Sequence, residues 1–158
     1  MRKTIFATFT ALLALSSSAY AQEEKVNYIK FEYSVSIRVY SEIEIYIGRS
    51  FQNPLNLEAT EKFYKKGKLI EKAIPISQAQ LDELITEFKK ITSAELIESF
   101  ENGLDGSSSS LTLGNIFDSN SIKYSFWGFD PKNQDLNQLT KTIQMMIKTV
   151  DIPVLELN

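Results

Sequence analysis

The chain has 158 residues, 17 Lys and Arg against 20 Asp and Glu, a net charge of −3, and neither His nor Cys. Those counts exclude Ser-His-Asp and Cys-His machinery, thiolate metal clusters and disulfides within the chain. The mild acidity disfavours nucleic acid, which needs a basic face.

Arg2 and Lys3 precede a short apolar run, Ile5 to Leu15, and Ala19-Tyr20-Ala21 follows it. A positive start, a short apolar stretch and an A-x-A exit define a secretory signal peptide, too short to span a bilayer. The expectation is cleavage after Ala21 and a product in the periplasm or outside the cell. With no Cys, no lipoprotein follows, and no later stretch is apolar enough for a membrane helix. The leader carries two of the basic residues, so the mature protein is more acidic by those two charges. Residues 22–158 suit one domain, which buries about two-thirds of its unfolded surface.

From Tyr28 to Ile47, apolar side chains take odd positions: Ile29, Phe31, Tyr33, Val35, Ile37, Val39, Ile43, Ile45, Ile47. Lys30, Glu32, Ser34, Ser36, Arg38, Glu42 and Glu44 take even ones. Strands alternate sides, so this segment has one apolar and one wet face. It is long for one strand and reads as a hairpin with Val39 facing Ile43, or as one long bent strand. Leu55, Leu57 and Ala59 suggest a third strand. Lys65-Lys66-Gly67-Lys68 is a turn, with Gly67 at positive φ, and Leu69–Ile74 returns as a fourth. The lysines at 62, 65, 66, 68 and 72 interleave with Glu58, Glu61 and Glu71, which reads as a solvated hairpin tip.

Ser77 and Gln80 form a capping box, with Ile76 and Leu81 as its staple. Leu81, Leu84, Ile85, Phe88 and Ile91 mark one helical face. Thr92 and Glu95 repeat the box and start a short helix carrying Leu96, Ile97 and Phe100, ended by Asn102-Gly103. Ser107–Ser110 reads as the polar start of a strand ending near Ile116. Ile122, Tyr124 and Phe126 mark another strand. Asp130-Pro131 is a helix start, and Leu136, Leu139, Ile143, Met146, Ile147 and Val150 form the stripe of that helix. Pro153 ends it.

The predicted fold is α+β: a two-layer sandwich, an antiparallel sheet of about five to six strands with two main amphipathic helices and one short helix on one face. Two candidate sites stand out. Pairing Ile116 with Ser121 brings Asp105 near Asp130, two carboxylates able to hold a cation or share a proton. Each has a plainer role: Asp105 precedes a turn glycine, and Asp130 precedes a helix-starting proline. The second is a surface patch. Trp127 and Phe129 oppose Tyr124 and Phe126 in parity, beside Lys123, while Tyr40, Tyr46 and Arg38 share the wet parity of the first hairpin. Aromatics and Arg on an uncovered sheet face suit a binding patch. The plainer reading packs Trp127 under a loop or the C-terminal tail. Met145-Met146 reads as core filler rather than a metal site.

The functional expectation is a non-enzymatic binding domain with no cofactor, whose partner is another envelope or secreted protein. The alternatives are a periplasmic inhibitor or immunity protein against a cognate enzyme and, last, a carboxylate-based hydrolase using Asp105 and Asp130.

Overall fold

The computed structural model describes residues 26–35, 42–98, 107–118, 120–127 and 137–151. The leader, Arg38, Tyr40, Asp105, Phe129 and Asp130 lie outside them. Six strands form one antiparallel sheet: β1 (Tyr28–Val35), β2 (Ile43–Arg49), β3 (Leu57–Lys65), β4 (Lys68–Pro75), β5 (Ser107–Gly114) and β6 (Ser121–Trp127), in the order β4-β3-β2-β1-β5-β6. Helices α1 (Gln78–Phe88), α2 (Ser93–Glu98) and α3 (Gln138–Val150) complete a two-layer α+β architecture.

The odd-position rule of the first segment builds the core. Ile29, Phe31, Ile45 and Ile47 are fully buried, joined by Leu111 and Leu113 of β5 and Phe63 of β3. From the helices come Leu81, Leu84 and Phe88 of α1, with Ile143, Met146 and Ile147 of α3. Each such side chain contributes about 1.5–3 kcal/mol of burial free energy.

Both capping boxes form. Ser77 Oγ accepts from Gln80 N at 3.3 Å while Gln80 Oε1 accepts from Ser77 N at 2.9 Å. Thr92 and Glu95 repeat the exchange at 3.4 and 3.0 Å. Lys66 and Gly67 take φ of 54° and 73°, as a two-residue hairpin turn requires.

Four sequence expectations are corrected. Ile43 faces Tyr33 rather than Val39, so 28–47 pairs as an antiparallel hairpin in a register different from the expected one; the shift is even and keeps every side chain on its face. Leu55 stands in a turn before β3 and is 87% exposed, because Asn53 Oδ1 accepts its N–H in a local loop. Gly114, not Ile116, faces Ser121, because β5 ends where Asn115 N bonds to Asn120 O. The last helix starts at Gln138, under an Asn137 N-cap whose side chain accepts from Thr140 N at 2.8 Å; Gln138 N itself donates to Glu95 Oε1, so the first amides are already partnered there.

Glu61 also departs from the solvated-tip reading. It lies opposite Ile45, on the helix-covered side, and is 1% exposed.

The helix layer is locked by charge. Glu87 accepts from Lys90, from Gln138 Nε2 at 2.7 Å and lies 3.1 Å from Lys141 Nζ. Those donors, Lys90 first, hold its carboxyl down at about 2.

Candidate functional site

Pairing fixes what the other face of the sheet carries. One row reads Glu71, Lys62, Glu44, Glu32, Ser110, Ser125 across β4 to β6. The next reads Ala73, Thr60, Tyr46, Lys30, Thr112, Lys123. Beyond Ser110 and Ser125 come Ser34, Ser108 and Trp127. Among the described residues no helix packs on this side.

Glu32 and Glu44 sit directly opposite each other, a repulsive arrangement. Lys30 resolves it, with Nζ 2.8 Å from Glu32 and 3.9 Å from Glu44. Lys62 lies 3.5 Å from both Glu44 and Glu71, and Lys123 lies 3.3 Å from Glu32. Burial works to raise the Glu32 pKa, but Lys30, the Ser110 hydroxyl at 2.9 Å and Lys123 outweigh it and hold the carboxyl below its ordinary range. Burial likewise opposes the charge of Lys62, and Glu44 and Glu71 restore it. Lys30, Lys62 and Lys123 thus offset Glu32, Glu44 and Glu71 across the two rows, and Glu42 adds a further carboxylate at the edge of the same face. Each exposed pair contributes only about 0.2–1 kcal/mol, so the ladder sets surface chemistry more than stability.

Small side chains shape the surface. Ser34, Ser108, Ser110 and Ser125 are short, and their neighbours Glu44, Lys62, Tyr64 and Trp127 are long. The result is a depression of about 660 Å³ floored by serine hydroxyls and walled by Trp127, Lys123, Lys62 and Tyr64. Ser34 and Ser108 hydroxyls are 2.7 Å apart across β1 and β5.

The patch residues divide. Trp127 lies on the face opposite the helices and is 48% exposed. Lys123 lies on the same face of β6, beyond Ser125, and is tied to Glu32. Tyr46 shares the parity but is only 6% exposed. Its ring stacks on Tyr28 at 5.5 Å and meets Phe51 at 5.0 Å, and its hydroxyl donates to Arg49 O. Burial, then Tyr28 and Glu58, pushes that hydroxyl above its ordinary value. Tyr46 therefore anchors one end of the face and offers a ligand little surface. Among the described residues, no group of three or more Asp and Glu is arranged to hold a metal ion, and no helix is long and apolar enough to cross a membrane.

The serines and the ion ladder were not assembled from sequence alone. Lys30, Glu32 and Ser34 share the wet parity in sequence, but β1 pairing with β5, far along the chain, is what brings Ser108 and Ser110 beside them. A scan against family models finds no match, and a search of curated proteins finds none either.

Proposed function

We propose that this chain is an exported, non-enzymatic binding domain of the periplasm or extracellular space, and that it takes its ligand on the uncovered sheet face. One observation carries the reading: a half-exposed Trp127 walls a depression on the side of the sheet opposite the helices. Exposure alone does not single Trp127 out, but a large indole at the wall of a depression is the kind of side chain that anchors a bound ligand. The charged leader and the A-x-A exit at Ala21 support export. The absence of His and Cys removes the commonest bases and nucleophiles.

The test uses immobilised residues 22–158 and the Trp127→Ala variant, incubated with an envelope fraction. The variant keeps the wild-type circular dichroism and urea midpoint and loses the component that the wild type retains. Equal retention by both proteins, or an unfolded variant, overturns the reading.

A further inference from the structure

The ligand class follows from how this face balances its groups, and the argument rests on the binding role proposed above. Lys30, Lys62 and Lys123 are each already within 3.9 Å of a carboxylate on the same face. An anionic ligand would have to strip those lysines from Glu32, Glu44 and Glu71. A cationic one would have to take the carboxylates from their lysines. These paired groups therefore reward neither sign, and Glu42 at the rim leaves the depression slightly acidic rather than basic. It does present charged donors and acceptors that hold further hydrogen bonds to hydroxyls, and charge-assisted bonds are the stronger kind.

The floor adds to this. Ser34, Ser108 and Ser125 each carry one donor and two acceptor sites, while Ser110, 6% exposed, gives its hydroxyl to Glu32 and serves mainly to keep the floor low. Serine is not among the β-branched and aromatic residues that strands favour, yet Ser107–Ser110 forms half of β5, an interior strand. A local rule broken inside a well-paired sheet marks a position kept for function. The walls complete the set. Trp127 on β6 and Tyr64 on β3 are four strands apart, roughly 19 Å at the usual strand spacing. Aromatic planes suit ligands with apolar C–H faces, and hydroxyls and charges suit their polar rims.

We infer that the serine-floored depression binds a neutral, polyhydroxylated chain, an oligosaccharide, laid across β5 and β1 with a sugar ring stacked on Trp127. Trp127 is the chain's single tryptophan, so its fluorescence reports on the site without a label. The mature protein is titrated with chitohexaose, cellohexaose and maltohexaose, and with hexalysine and hexaglutamate as charged probes. The expected result is a saturable change in emission with at least one saccharide and none with either charged peptide. Ser108→Leu fills the floor directly opposite Trp127 while leaving the reporter in place. It weakens saccharide binding at least tenfold with an unchanged urea midpoint. No saccharide response, a response to a charged peptide alone, or full saccharide binding by Ser108→Leu overturns the inference. If Trp127-dependent retention from the envelope fraction survives while no saccharide binds, the binding role stands and the oligosaccharide assignment falls.

Discussion

Glu61 offers a prediction whose sign runs against intuition. It is the only charged side chain buried among the described residues, 1% exposed on the helix-covered side of β3. Its Oε1 lies 2.7 Å from Lys72 Nζ, and no hydrogen-bond donor reaches Oε2. Lys72 keeps 57% of its side-chain exposure, and its ammonium lies 5.6 Å from the centre of the Phe63 ring. The pair therefore joins a dry carboxylate to a largely wet ammonium. Removing one partner of a fully buried pair costs about 3–5 kcal/mol. Solvent around Lys72 cuts that figure, so Lys72→Met should destabilise by about 2 kcal/mol. Methionine keeps an aliphatic stem over Phe63, which isolates the charge. Glu61→Leu removes the desolvated carboxylate itself and should be neutral or stabilising by about 1–2 kcal/mol. In the Glu61→Leu background, Lys72→Met should then cost little, giving a coupling of about 2 kcal/mol in a double-mutant cycle. Urea denaturation of residues 22–158 measures all four proteins, with slopes compared to confirm two-state behaviour. A loss above about 2 kcal/mol for Glu61→Leu, together with an unaffected Lys72→Met, would refute the reasoning.

The other predictions concern packing, capping and pH. A Cβ on Gly48 would lie 2.5 Å from Asn27 O and 2.7 Å from Tyr28 Cα, which are backbone atoms, whereas one on Gly114 meets the Tyr28 ring end at 2.6 Å. Gly48→Ala should cost about 2–3 kcal/mol and Gly114→Ala about 1 kcal/mol, since a ring end yields more easily than backbone; equal losses in urea would contradict this. Asn137→Ala removes the cap of α3 and should cost about 1 kcal/mol by the same assay. Glu87 is held at about 2 against an ordinary 4.5. A carboxyl depressed in the folded state stabilises fully above its unfolded value and loses that contribution as pH falls toward the folded one. The urea midpoint should therefore drop between pH 5 and 2, and Glu87→Gln should flatten that drop; an identical slope in the variant would remove Glu87 as the cause.

The sequence carried the layer architecture because its signals were local and periodic. The odd-position alternation from Ile29 to Ile47 named the core face even though the hairpin register was misread, since an even shift preserves facing. Ser77 with Gln80, and Thr92 with Glu95, sit three residues apart, and both boxes formed as read. Failures came where one local signal competed with another. Asp130-Pro131 is a good helix start, yet Asn137 caps the described helix and Glu95 reaches its first amide, a contact from 43 positions earlier in the chain. Glu61 reads as solvated amid lysines, yet it shares the parity of Leu57, Ala59 and Phe63, and its pairing opposite Ile45 places it on the helix-covered side. The candidate site was half legible. Trp127 and Lys123 followed from parity within one strand, while the serine floor needed β1 beside β5, a long-range pairing with no local signature.

Acrylamide quenching of Trp127 fluorescence in residues 22–158 tests most directly whether the sheet face opposite the helices is uncovered. A half-exposed indole predicts red-shifted emission and strong quenching while near-native circular dichroism persists. A blue emission resistant to acrylamide would place Trp127 in a closed interior and contradict the account.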